Sequence, residues 1–409
     1  MKVLWLSHNV PFPPTSGVLQ RNYHLVRETA SRTELHLVAL RQRALCPDDA
    51  ALRAARDELE SYCASVRVFD LDWEVSVGSR TRLAARLFAE EPYDVVRYSS
   101  RPFRAFLAAG EAPDVDVVHF DTLGLTPYRP ALPTRPSILN HHNIESHMLA
   151  RRASGETNPF RRALYRWQAK KTREWERRHI TQFACNTVVS EADAERLEEV
   201  RPGVRTAVIA NGTDTSFFST PANDEPGNLE VVMVGRHSWY PNRDAAEFFL
   251  DDIWPLIVER EPRATWTIVG KNPLPRVVAA AEADDRIRVL GFVDDLRETV
   301  RAAAVFVCPY RDGGGTRLKV LDALAMRKAM VSTSIGAEGL PLEPGRHYLL
   351  ADTALHFADA VIELFRSPER RRELGEAGRE FVEAHYDWSG IGARLYDVYE
   401  RAVAASRRQ

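Results

Sequence analysis

The sequence is poor in the features that mark several large classes of protein. It has only four cysteines, Cys46, Cys63, Cys185 and Cys308, scattered and never in a CxxC pair. That argues against a disulfide framework or a zinc ribbon and predicts reduced thiols in a cytoplasmic protein. No apolar run approaches the roughly 20 residues of a membrane span. The opening "MKVLWLSHNVPFPP" has too short an apolar run for a signal peptide and reads as a first strand. Charge of one sign is missing too. With 55 Lys and Arg against 57 Asp and Glu, no basic field draws nucleic acid to the whole molecule. The loop after the first strand, "NVPFPPTSGVLQRN", has one glycine where GxGxxG needs three, and GxxxxGK[ST] occurs nowhere. Both familiar phosphate-loop fingerprints are therefore absent. No short repeat is visible, which disfavours solenoids and propellers.

What is present is a regular alternation. The runs "KVLWLSH", "ELHLVAL", "SVRVFDL", "VDVVHF" and "PSILNHH" read as strands in the first half. "NTVVSE", "TAVIAN", "LEVVMVGR", "TWTIVGK", "IRVLGF", "VFVCPY" and "AMVSTSI" follow. Helical stretches separate them, the pattern of parallel α/β sheets. At 409 residues, 44% hydrophobic and 27% charged, the chain has room for two such domains. The polar, turn-rich stretch 216–228 is the best linker. The expected division is 1–215, a linker at 216–228, a second domain at 229–385, and a C-terminal helix and tail at 386–409 that could return to the first domain. Residues 161–179, "RRALYRWQAKKTREWERRH", form a basic helix. Leu164, Trp167, Lys171 and Trp175 recur roughly once per turn, so it is either a surface helix docked by its aromatics or a contact for an anionic membrane surface or phosphorylated acceptor.

The densest chemistry lies in "VCPYRDGGGTRLKVLDALAMRKAMVSTSIGAEGL". A strand ends in Gly313, Gly314 and Gly315, and Thr316 can open a helix. The first N–H groups of a helix lack partners within it and sit at the positive end of its dipole, so they suit an anion. An ordinary tight turn would also use such glycines. On a helical period Leu318, Leu321, Asp322 and Ala325 share a face, which sets Asp322 on or beside an apolar stripe. A buried carboxylate needs a partner. Lys319, one turn earlier, is one candidate; the vicinal hydroxyls of a ribose are the other. "HHNIESH" gathers His141, His142, Glu145 and His147, but not at the helical HExxH spacing of a metal site.

These motifs, in their order, resemble the retaining GT-B glycosyltransferases of family 4. "VVMVGRHSWYPNRDAAEFF" is similar to the opening of that family's nucleotide domain, followed by "WTIVG", "RVLGFVDDL" and the glycine stretch. "TVVSEADAERL" and "VIANGTDTSFF" resemble segments of its first domain and of the approach to its linker. The resemblance implies two Rossmann-like domains facing across a cleft. It implies transfer of a sugar from an NDP-sugar to a hydroxyl acceptor, a glycan precursor or small natural product, with retention and without metal or other cofactor. The family's two donor-site glutamates fall on Gly314 and Asp322, which keeps the ribose contact and removes the usual sugar contact. Arg236 matches the arginine of the basic pair on the diphosphate. Asn242 or Arg243 stands near the usual lysine, and Arg317 and Lys319 are candidates for the missing charge. Gly315 and Thr316 supply N–H groups to the diphosphate. Gly17 falls where the family brings backbone towards diphosphate and sugar, and His142 where it places a histidine beside the donor sugar. His142 alone also reads as a hydrogen-bonded histidine at a strand end. A catalytically silent GT-B subunit acting as a binding partner, and a sugar-nucleotide epimerase or hydrolase, remain as alternatives.

Overall fold

The apolar runs become strands because strands of a parallel sheet are covered on both faces. The computed structural model describes residues 1–15, 17–75, 90–221, 226–312 and 317–408. All twelve expected strands form. In the first unit they are β1 (Lys2–Ser7), β2 (Glu34–Arg41), β3 (Ser65–Asp70), β4 (Val117–Phe120), β5 (Ser137–Asn140), β6 (Cys185–Val188) and β7 (Thr206–Val208). They pair in parallel in the order β3-β2-β1-β4-β5-β6-β7. The second unit holds β8 (Glu230–Val234), β9 (Thr265–Val269), β10 (Ile287–Gly291), β11 (Val305–Cys308), β12 (Met330–Ser332) and a short β13 (Leu349–Leu350). Their order, again parallel, is β10-β9-β8-β11-β12-β13.

Chain contacts divide the molecule into Met1–Ala210 with Ile391–Gln409, and Asn211–Gly390. The stretch that reads as a linker is tied into the second unit. Thr215 Oγ1 donates to Asp387 at 2.5 Å, and Thr220 Oγ1 to the Met326 carbonyl at 2.7 Å. In the first unit, the C-terminal helical residues bury Ile391, Leu395, Val398 and Tyr399, and Tyr399 Oη lies 2.9 Å from His119 Nδ1. Each unit has its own core. Leu4, Leu6, Val118, Phe120 and Leu139 centre the first, and Val231, Trp266, Ile268, Phe249 and Phe357 the second.

The basic helix runs over Pro159–His179. The sequence reading that its aromatics dock it holds for Trp175, which packs against the first unit's core, and not for Trp167. Its buried positions are Gln168, Ala169, Thr172 and Glu176, with Trp175 half-buried and bonded to Thr126 Oγ1 at 2.9 Å. Trp167 instead stays 39% exposed, with Lys171 Nζ 4.8 Å from its ring centroid. Glu176 is interior, where Oε1 accepts the Ser146 N–H at 3.1 Å and burial raises its pKa.

Both sheets reverse direction once in strand order, between β1 and β4 and between β8 and β11. At such a switch the loops leaving two neighbouring strands diverge, and their carboxyl ends leave a crevice for a ligand.

Candidate functional site

In the second unit the switch brings together Gly235–Arg236 after β8, Tyr310 after β11, and the helix Leu318–Ala325. The turn after β8 is tight. A Cβ on Gly235 would lie 2.9 Å from Asn242 Cγ, and one on Gly270, at φ +148°, would lie 1.7 Å from the Gly235 carbonyl oxygen. Lys319 holds this turn from below. Its Nζ donates to the Val234 carbonyl at 2.9 Å, to Asn242 Oδ1 at 2.9 Å and to Tyr310 Oη at 2.7 Å. Tyr310 Oη in turn donates to Asn242 Oδ1 at 2.8 Å, and Asn242 Nδ2 donates to the Arg236 carbonyl at 2.8 Å. The ammonium therefore stands beside Asn242, the position near which the family resemblance expects a lysine. All three of its protons are engaged, and burial lowers its pKa to about 8. Arg236 is different. Its side chain is exposed and has no partner among the described residues.

Asp322 projects from the same helix, half-buried at the surface but with its carboxyl among protein atoms. Desolvation raises its pKa to about 7, against the pull of a hydrogen bond from Thr213 and of the Lys319 charge. Thr213 Oγ1 donates to Oδ1 at 2.7 Å. Oδ2 has no hydrogen-bond partner among the described residues. Lys319, the candidate structural partner, directs its protons elsewhere. Arg317 is buried, with its guanidinium 4.5 Å from the Tyr310 ring centroid and Nη2 donating to the Asp312 carbonyl at 3.3 Å. Its Nε and Nη1 lack partners among the described residues. Gly314, Gly315 and Thr316 lie outside the described residues.

The first unit places another polar group at its own switch. Asp121 follows β4 and is fully buried. His8, after β1, sets Nδ1 2.5 Å from Asp121 Oδ2, and Asn22 Nδ2 donates to the same oxygen at 2.7 Å. His142, after β5, sets Nε2 3.1 Å from Oδ1. These partners hold the carboxyl well below the ordinary carboxylate range despite its burial. Asn140, ending β5, accepts from Arg21 Nη2 at 3.1 Å and Thr187 Oγ1 at 3.0 Å. Gly17 opens the helix Gly17–Ala30 that carries Arg21 and Asn22.

Of "HHNIESH", only His142 joins this group. His141 turns to Asn186 Oδ1 at 3.1 Å. The potential ligand atoms of His8, Asp121 and His142 lie within 4.8 Å of one another, a spacing that could hold a metal ion. Asn22 Nδ2 and the two imidazole rings stand at hydrogen-bond distance from the carboxylate oxygens. The sequence reading missed His8 and Asp121. Their one signal is a polar residue directly after an apolar strand, in "WLSH" and "VHFD".

Residues 228–367 match the family model described as glycosyl transferases group 1, a span that carries Arg236, Lys319 and Asp322. That stretch of the second unit is similar to the group 1 glycosyl transferases. The chain is also similar to curated proteins. An alpha-maltose-1-phosphate synthase of Mycolicibacterium smegmatis is 34% identical over 226 residues, 49% of this chain and 58% of that one. The chain spans about half the length of the curated relatives it matches. Among solved structures, sucrose-phosphate synthase of Thermosynechococcus elongatus aligns over 99% of this chain and all of its own, with TM-score 0.69 and 18% identity. Anabaena Alr3699/HepE in complex with UDP aligns over 98% of this chain and all of its own, with TM-score 0.65 and 14% identity. The fold is the GT-B pairing of two parallel-sheet Rossmann-like domains.

Proposed function

We propose that this chain is a retaining, metal-independent glycosyltransferase that moves a sugar from an NDP-sugar to a hydroxyl acceptor. The observation that carries the reading is Asp322. Its carboxyl is held by one hydroxyl, Thr213, and keeps an oxygen without a partner among the described residues, in the crevice of a group 1 glycosyl transferase domain. A ribose offers two hydroxyl donors to such a group. Relatives and neighbours support the donor class: one curated relative is GDP-mannose-dependent, and Alr3699/HepE was solved with UDP and with UDP-glucose.

The chemistry follows from where negative charge grows. As the bond between sugar and diphosphate breaks, the leaving phosphates gain charge, and cations aimed at that charge lower the barrier. Arg236 is a cation of the crevice left free among the described residues. Lys319 acts by fixing the turn that presents Arg236 and by its charge beneath it. By the family resemblance, the N–H groups of Gly314, Gly315 and Thr316 are further donors proposed for the diphosphate, and Gly17 and His142 are residues proposed for the donor sugar. The departing phosphate takes the acceptor proton, so no separate protein base is required.

No described helix is long and apolar enough to cross a membrane. The helix Pro159–His179 supports peripheral contact with an anionic surface, because Phe160, 85% exposed, lies in its first turn beside Arg161 and Arg162.

The test is a panel of NDP-sugars and hydroxyl acceptors with the purified chain in EDTA, the product anomer read by proton NMR. Transfer with the donor's anomeric configuration is expected. Inversion would overturn retention, and turnover recovered only with a divalent ion would overturn metal independence. Free sugar or an isomer without acceptor would favour the hydrolase or epimerase reading. Donor binding with transfer only on adding a second protein would favour a silent subunit.

A further inference from the structure

We propose that Asp121 is a positioning residue that fixes the tautomers of two histidines, so that His142 presents an unprotonated Nδ1 to a substrate hydroxyl. The inference deepens the glycosyltransferase reading and rests on it for the identity of that hydroxyl. The tautomers themselves do not depend on it.

Asp121 is an anion, so a ring nitrogen at hydrogen-bond distance from it must carry the proton. His8 therefore has its proton on Nδ1, 2.5 Å from Oδ2. Its Nε2 is then an acceptor, and Asn9 Nδ2 stands 3.1 Å away to donate. His142 bonds through the opposite nitrogen, Nε2, 3.1 Å from Oδ1. Asn140 Nδ2 also lies 3.4 Å from that Nε2 and would favour a lone pair there. It is the longer and uncharged contact, and the same amide already donates to the Asp121 carbonyl at 3.1 Å. The carboxylate wins, because an unprotonated Nε2 would set two lone pairs against each other at 3.1 Å.

The consequence lies at the far side of the ring. With Nε2 protonated and the ring neutral, Nδ1 of His142 is a lone pair, with no hydrogen-bond partner among the described residues. Burial lowers the pKa of His142 while Asp121 pulls it up and His8 and Arg21 push it down. The side chain is 9% exposed. A lone pair beside a buried carboxylate accepts from a hydroxyl and repels a carboxylate or phosphate. The first unit's crevice is thereby matched to a neutral polyol, such as a sugar ring.

The test reads the tautomer in the full-length, ligand-free protein. Histidine labelled with ¹⁵N, assigned with a His142→Gln variant and recorded at about pH 8, above the ordinary histidine range, distinguishes protonated from unprotonated ring nitrogens. Wild type is expected to show His142 protonated on Nε2 only and His8 on Nδ1 only. In Asp121→Asn the His142 preference should weaken or reverse. His142 protonated on Nδ1 in wild type, or an unchanged His142 tautomer in a folded Asp121→Asn, overturns the proposal. So does a stoichiometric metal held by wild type and lost in that variant. Should Asp121→Asn not fold, the wild-type spectrum alone decides. In turnover, Asp121→Asn and His142→Gln should each lower kcat by about tenfold, the factor of one hydrogen bond, and the double variant should be no worse than either. Intact tautomers with additive losses would leave the positioning in place and remove the hydroxyl contact.

Discussion

Asp322→Asn should stabilise the ligand-free protein while it weakens ligand binding. The carboxyl is raised from 3.8 to about 7, chiefly by desolvation. An acid raised on folding holds its proton in the native state over that interval, while the unfolded chain has already lost it. Stability therefore falls as pH climbs from about 4 to about 7, and the cost is present in full above that. Each pH unit is worth about 1.4 kcal/mol. Allowing for the solvent that reaches a half-buried residue, the ionised carboxylate costs about 2–4 kcal/mol at pH 8. A side-chain amide at this position would carry no charge and can still accept from Thr213, so the substitution removes that cost. In a domain of this size one kcal/mol moves the melting temperature by about 2–4 °C, so the variant should melt roughly 4–16 °C higher at pH 8. The gain should shrink below pH 7 and vanish near pH 4. Calorimetric or dichroism melts across this range measure it directly. An unchanged or lower melting temperature at pH 8, or a gain independent of pH, would refute the reasoning. A residue whose charge weakens the empty protein makes physical sense if a ligand supplies the missing donors.

Three further outcomes separate free groups from fixed ones. Arg236→Ala should leave the melting temperature where it is and lower kcat more than it raises the acceptor KM, because its side chain meets charge that develops in the transition state; a large loss of stability would show it to be structural. Lys319→Met should destabilise by about 1–3 kcal/mol, since the Val234 carbonyl and Asn242 Oδ1 lose a donor; an unchanged urea midpoint would deny the network its role. Full-length protein should sediment with vesicles containing anionic lipid and less so after Phe160→Ala with Arg161→Ala and Arg162→Ala, each basic residue near such a surface contributing about 1 kcal/mol; equal sedimentation of the two proteins would remove that surface from the account.

The strands were readable because parallel strands covered on both faces are near-continuous apolar runs. β1 buries five of its six residues, and β4 and β5 bury all of theirs. β13, two residues long, carries no such signal. Asp322 was readable from helical spacing, but its partner Thr213 was not, because 109 residues separate them. The sequence presents Lys319 as a charge near phosphates and says nothing of three protons already committed. Asp121 and His8, 113 positions apart, meet only because β1 and β4 are neighbours at the point where strand order reverses. No local spacing encodes that meeting. Trp167 and Trp175 look equivalent along the helix, yet only the second faces the core, since Gln168, Thr172 and Glu176 set the docked side.

The central claim is that the second unit binds a nucleotide sugar through Asp322. Calorimetric titration of the full-length wild type and the folded Asp322→Asn variant with UDP-glucose, GDP-mannose and ADP-glucose at pH 8 tests it most directly. At least one donor should bind the wild type, and the same donor should bind the variant about tenfold or more weakly, the loss of one or two hydrogen bonds to a charged acceptor. Equal affinity in the two proteins, or no heat of binding from any of the donors with the wild type, would contradict the account.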